Sequence, residues 1–413
     1  MSTLSTGNWV TAARLKVYPA MMLVLMLAGI VAYLATSTGM RDSQKNPIGT
    51  DFSQVWIAGT EVNAGHPEAP FYNEKHFPAQ RAFFGEDTPI FGWHYPPFFL
   101  ALASFLALFP YLMALAIWQF ATLPLYAWAV VRITRLTKAT EALDTKHVLI
   151  AALAFPAVLV NLAHGHNGFL TAALLAGGLL CLNKRPILAG VLFALLAYKP
   201  QFALVIPVAL LAGAHWRTIL SAIVTGVVMT AATLLAYGMD TWWAFKHSTI
   251  FTREVILEQG ATGWYKIQSI FSAVRMLGGS VNEAYLVQGV ATALVLAAVF
   301  WLWRSKADFR LKAAALMVAS LLTTPYCLDY DLMLLGPALA FMVAHGMEKG
   351  FVPYEKTLLV LVWTAPIIAR PIAFFAFLPF GVLVMLALFY VILSRAAAET
   401  GATRLISGQV AAA

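Results

Sequence analysis

Asp51, His94, His164, His166, Lys199, Asp329 and Asp331 carry the polar chemistry of a chain that is otherwise mostly apolar. They fall at the ends of hydrophobic runs or at breaks within them. An ionisable side chain close to hydrocarbon is costly, so each is read first as part of a site. Gathered on one face, they would build a polar pocket at a membrane surface. Asp51 opens Asp51-Phe52-Ser53-Gln54-Val55-Trp56 and offers a carboxylate that can take a proton. It also suits the N-cap of a helix. His94 and Tyr95 precede Pro96-Pro97, with donors available to a phosphate or a sugar; an interfacial aromatic anchor is the plainer reading of Tyr95. His164-Gly165-His166-Asn167 forms a polar turn whose side chains could hydrogen-bond a sugar or a phosphate, or could simply close the turn. Two His at this spacing are a weak metal signal, and no strong metal-ligand motif is present.

Lys199 stands alone in an apolar run, beside Pro200 and Gln201, with no acidic neighbour in sequence. Its ammonium would be compensated by a bound phosphate. Thr324-Pro325-Tyr326-Cys327-Leu328-Asp329-Tyr330-Asp331 opens another apolar run, and its two carboxylates suit helix capping or acceptor hydroxyls. Arg370, before Pro371, is placed to pair with a lipid phosphate.

The elements holding these residues follow from composition. Of 413 residues, 61% are hydrophobic and 11% charged, with a mean hydropathy of +0.76. Soluble domains carry about 25% charged residues, so the chain reads as an all-α polytopic membrane protein. The net charge of +8 is an orientation signal rather than a nucleic-acid footprint. Basic clusters at Arg132–Lys138, Lys184–Arg185, Arg217, Arg304–Lys312, Lys349–Lys356 and Arg395 mark the cytoplasmic side. The run from Val17 to Thr36 is read as an uncleaved first helix. Spans are expected near 111–132, 148–164, 168–183, 218–237, 284–303, 311–325, 331–346, 356–370 and 375–394. This leaves one integral membrane domain over 1–413, with both termini in the cytoplasm. A long first extracytoplasmic loop covers 39–95, a second, Trp- and Tyr-rich loop covers 238–283, and a flexible tail starts at Ala396. Cys181 and Cys327 fall near opposite faces and should not pair.

Two apolar runs fit no simple span. Residues 96–109 are too short to cross, and read as a re-entrant or juxtamembrane helix. Residues 186–213 have basic flanks on both ends, which suggests two half-helices turning at Lys199; a single tilted span is the alternative.

The order of these features resembles the C-superfamily membrane glycosyltransferases: a carboxylate opening a long outer loop, Tyr95-Pro96-Pro97, Lys199-Pro200-Gln201 and Pro325-Tyr326-x-x-Asp329-Tyr330-Asp331. It is most similar to glycosyltransferase family 87, over roughly 15–395. The resemblance implies the GT-C fold, with about ten to twelve transmembrane helices, at the bacterial inner membrane. It implies a polyprenyl-phosphate-linked sugar donor, mannose by default, and a glycolipid or glycan acceptor at the extracytoplasmic face. Asp51 would be the general base of an inverting transfer. Lys199, His94 and Arg370 would meet the donor phosphate. Tyr95, His164, His166, Asn167, Gln201, Tyr326, Asp329 and Asp331 would meet sugar or acceptor. No cofactor and no metal ligand is implied, and a divalent metal is left open. His164-Gly165-His166-Asn167 replaces the Gly-Gln type of turn common in the family, which leaves the sugar open. A transporter or flippase of lipid-linked sugars is the rival reading, since broken helices and a membrane-depth lysine suit it too. A non-catalytic scaffold is a third.

Overall fold

The computed structural model describes residues 2–89, 91–141, 143–202 and 204–401. A short N-terminal turn, α1 (Thr3–Thr6), leads into α2 (Ala12–Ala35), whose first turn is capped by Thr11. Few of α2's side chains are buried, as befits a helix facing lipid. The expected first loop is not an open loop. It folds into α3 (Thr50–Asn63) and α4 (Asn73–Phe84). Next comes the short segment expected at 96–109. Pro97 starts a single tight turn that runs into α5 (Leu100–Leu106), only 7 residues long. Helix α5 lies directly on α3: a Cβ on Gly59 would sit 2.0 Å from the Ala103 carbonyl, so only glycine permits this approach.

Helix α6 (Tyr111–Thr134) follows as a full span. The span expected at 148–164 is two helices, α7 (Thr145–Leu153) and α8 (Pro156–His164), bent by 53°. Pro156 explains the bend, because the residue before a proline is pushed out of the helical region. Helix α9 (Gly168–Cys181) is short and buried along most of its length. Residues 186–213 form the expected broken pair, α10 (Pro186–Leu195) and α11 (Val205–Ala212), joined by two tight turns around Lys199. Lys199 itself has φ −123° and ψ 73°, the non-helical setting that Pro200 demands.

Helix α12 (Trp216–Phe251) crosses and then continues past a kink at Gly238, where φ is 77°. A wide helical turn, Thr252–Glu258, extends it. The expected aromatic loop 238–283 is therefore largely helical, and it also contains α13 (Ile270–Met276). Helices α14 (Val281–Arg304), α15 (Phe309–Leu322), α16 (Leu335–Lys349), α17 (Glu355–Ala376) and α18 (Phe380–Thr400) complete the chain. Capping boxes at Ser269 and Ser280 and an Asp308 cap fix three of these starts. The tail expected from Ala396 begins inside α18, and residues 402–413 lie outside the described residues.

Among the described residues, 7 helices are long and apolar enough to cross a membrane, or 8 if the bent α7–α8 pair is one span. Two further expected spans, α9 and α15, are shorter helices, as are the two halves of the broken run. Buried α15 and α16 form the middle of the bundle. Cys181 and Cys327 are both free, as expected. At the end carrying the basic clusters, Arg310 binds Asp308 and Glu348, and Arg395 binds Glu355. The polar residues named above gather at the other end.

Candidate active site

Asp51 lies in the first turn of α3 but does not cap it. The N-cap is Gly49, at φ 75°, so the capping role expected for Asp51 is not what the helix uses. Tyr111 fixes this start by donating its hydroxyl to the Ile48 carbonyl at 2.6 Å. Freed from capping, the carboxylate lines a narrow cleft with Val55, Tyr95, Phe99, Trp118, Gly165, His166 and Asn167. Among the described residues it accepts no hydrogen bond and has no ion pair. Burial raises its pKa above the usual carboxylate value; His164 opposes that shift, Asp329 adds to it, and Lys266 and Lys199 oppose it.

The far wall is the α8–α9 turn. Gly165 takes φ 61° and ends α8 in a left-handed cap. A Cβ there would sit 2.6 Å from the Phe52 Cβ, so the turn and the start of α3 touch directly. Trp118 donates its indole N–H to the Gly165 carbonyl at 3.1 Å. His166 Nε2 lies 3.2 Å from the Tyr95 hydroxyl, and the His166 ring stacks on Tyr330 at 3.4 Å between centroids. Burial, with help from Lys199 and His164, holds His166 well below its usual pKa, so it is neutral. His166 Nδ1 and Asn167 Oδ1 are buried without a partner among the described residues. Such atoms carry a desolvation cost unless something completes them. Tyr95 is buried inside the site rather than at an interface, with its ring tilted against Phe99 at 4.6 Å between centroids.

Lys199 has its acidic partner after all: Asp331, distant in sequence, takes the ammonium at 2.5 Å, and both side chains are buried. Asp331 also accepts the Leu328 N–H at 3.0 Å, which is the capping role expected of it. Asp329 pairs with Arg370 at 3.3 Å, with Arg370 still 37% exposed. His94 turns to the start of the wide turn after α12, with Nδ1 2.7 Å from the Thr252 hydroxyl; burial and His76 push its pKa down to about 4. Its ring meets that of Tyr326 at 6.1 Å. His164 Nδ1 donates to the Val160 carbonyl at 2.8 Å, which leaves Nε2 for the site. Gln201 sits half-buried in the turn after Lys199.

Several participants escaped the sequence. Tyr330, between the two aspartates, is the residue that meets His166. Trp118, Phe99 and Val55 supply the apolar walls. Lys266 acts on Asp51 electrostatically, and shares the Tyr265 ring with Arg370: the two cations stand 5.9 and 5.8 Å from its centroid. Only the flanking Asp-x-Asp pattern hinted at Tyr330. Among the described residues, no group of three or more His, Cys, Asp or Glu is placed to hold a metal.

One unpartnered carboxylate facing buried, incompletely bonded polar atoms and aromatic walls is an arrangement that can accept a proton from a hydroxyl held between them. No curated protein and no solved structure matches the chain. A family match does exist over residues 93–325, which takes in Tyr95, the α8–α9 turn, Lys199 and Lys266 but not Asp51 or Asp329–Asp331. It covers more than half of the sequence, and the chain belongs to glycosyltransferase family 87.

Proposed function

We propose that this multi-pass glycosyltransferase moves a sugar, mannose by default, from a polyprenyl-phosphate donor to a glycolipid or glycan hydroxyl, with inversion. The acceptor oxygen attacks the anomeric carbon. The bond from that carbon to the phosphate oxygen breaks, its electron pair leaves with the lipid phosphate, and the hydroxyl proton passes to Asp51. The phosphate needs charge stabilisation more than protonation; Arg370 and Lys266 are the cations proposed for it, with neutral His94 as a hydrogen-bond donor. His166 and Asn167 would hydrogen-bond the sugar, with Tyr95, Phe99 and Trp118 as its apolar walls. The active face would be extracytoplasmic, since the basic clusters lie at the opposite end of the bundle. The protein would then sit in the bacterial inner membrane. Membership of a transferase family favours this reading over transport of a lipid-linked sugar.

The observation that carries the proposal is the state of Asp51: among the described residues it alone of the carboxylates at the site has no ion pair and no side-chain hydrogen bond, while Asp329 and Asp331 each have an ion pair. The test is Asp51→Asn, assayed with a short-chain polyprenyl-phosphate mannose in membranes that retain native lipid acceptors. The shape is kept and the proton acceptor is lost. Donor binding should survive, and turnover should fall about 10² to 10⁴-fold. Turnover within a few-fold of the parent would remove Asp51 as the base.

A further inference from the structure

The transfer chemistry gives no task to the buried ion pair that Lys199 makes with Asp331. Lys199 and Asp331 meet at 2.5 Å with side chains 4% and 2% exposed. Placing two charges so deep is expensive, and their attraction does not reliably recover the desolvation. A pair kept under those terms invites a reason beyond stability. Neither residue is among the cleft's lining groups. What the pair does reach is Tyr330.

One Asp331 oxygen accepts the Lys199 ammonium and the other accepts the Leu328 N–H at 3.0 Å. The carboxylate thus closes the turn from Leu328 to Asp331 while anchoring it to the break between α10 and α11. Tyr330 is inside that turn. Its carbonyl accepts the Asn161 amide at 2.9 Å, and the same Asn161 accepts the Gly168 N–H at 3.0 Å, so turn and α9 are registered together. The Tyr330 ring lies 5.4 Å from the Lys199 ammonium and stacks on His166 at 3.4 Å. His166 is then held on two sides, by Tyr330 and by the Tyr95 hydroxyl, with Nδ1 unpartnered at the cleft.

We propose that Lys199 and Asp331 form a charge-neutral strut which positions His166 beside Asp51 through Tyr330, and that neither of the two touches the substrate. They are positioning residues. The inference rests on the reading of the cleft as the transfer site. It differs from the role the sequence suggests for Lys199, which is to meet the donor phosphate itself. If the ammonium bound phosphate, removing it would weaken donor binding whether or not Asp331 were also neutralised. A strut behaves otherwise. Removing one charge leaves the other buried and unpaired, whereas removing both relieves the defect.

The experiment compares Lys199→Met, Asp331→Asn, the double variant Lys199→Met/Asp331→Asn, and Tyr330→Leu, with a short-chain polyprenyl-phosphate mannose as the probe. Each single charge variant should lose about tenfold or more in kcat with donor KM within about threefold. The double variant should return to within about threefold of the parent kcat. Tyr330→Leu, which leaves both charges in place, should reproduce the kcat loss. Lys199→Arg should keep most of the activity, because it keeps the pair. The proposal is overturned if donor KM rises about tenfold in Lys199→Met and stays raised in the double variant, or if Tyr330→Leu turns over at the parent rate. Should a single charge variant fail to fold, the double variant and Tyr330→Leu still decide the matter. Asp51→Asn, run in parallel, separates the two readings. Turnover surviving that change sinks the transfer mechanism, whereas turnover lost there but unimpaired in Tyr330→Leu sinks the strut alone.

Discussion

Asp51 is set apart from Asp329 and Asp331 by what stands next to it. Those two face Arg370 and Lys199, while Asp51 faces a cleft. A base must be ionised to work, so a raised pKa has a direct consequence for activity. Transfer should fall as the pH drops through the Asp51 pKa, at a value above the usual carboxylate range of about 3.9. His164 is the largest influence holding that pKa down. In His164→Ala the acid limb of kcat/KM should therefore move to higher pH, measured as a pH–rate profile with the same lipid-linked donor. An unmoved limb would disconnect His164 from Asp51. The residue types at the site were legible because charge in an apolar chain is conspicuous. Their partners were not. Lys199 reads as an isolated cation in sequence because Asp331 is far along the chain, and ion pairing across that separation is set by packing alone. Tyr330 was hidden for the opposite reason: a tyrosine at an apolar-run boundary is ordinary until a ring is found stacked on it.

Elements broke where proline demanded it. Pro156 and Pro200 both push the preceding residue out of the helix; the sequence places the break at Lys199, whereas 148–164 reads as one apolar span. The helices missed were α4, α13 and the part of α12 beyond Gly238, and of α3 only a helix start at Asp51 is readable. None is an unbroken apolar run, so hydropathy says little about them, and neighbouring elements supply their stability. The α3–α5 contact is the clearest instance. Helix α3 holds Asp51, and its distance from α5 is set by Gly59 against the Ala103 carbonyl. Gly59→Ala should force the helices apart, with a cost of about 1–3 kcal/mol from overpacking, even though alanine is the better helix former. The outcome to look for is a lower thermal midpoint in detergent together with reduced turnover. An unchanged midpoint would mean that the contact yields at no cost. Gly165→Ala tests the facing wall in the same way. Its φ of 61° and the Phe52 Cβ at 2.6 Å both oppose a side chain, so a loss of stability of about 1 kcal/mol or more is expected.

At the scale of the whole molecule, the two ends of the bundle divide the charges. The end opposite Asp51 collects Arg310 with Asp308 and Glu348, Arg395 with Glu355, and His345 with Glu399. These pairs tie α15, α16, α17 and α18 together where the sequence has its basic clusters. Lysine and arginine at short loops select the cytoplasmic side, so this end should be inside and the Asp51 end outside. The distinction matters for the chemistry. A lipid-linked sugar is the donor available outside the cytoplasm, whereas a site facing inward would be open to nucleotide sugars. Glu86, beyond α4, is exposed at the Asp51 end, and Lys184, between α9 and α10, is exposed at the basic end. With Cys181 and Cys327 replaced, Glu86→Cys should react with a membrane-impermeant maleimide in intact cells, and Lys184→Cys only after permeabilisation. The two positions lie at the tips of polar segments, so neither substitution should disturb packing. The reverse pattern would put Asp51 in the cytoplasm and end the case for a polyprenyl-phosphate donor, even if Asp51 proved to be the base.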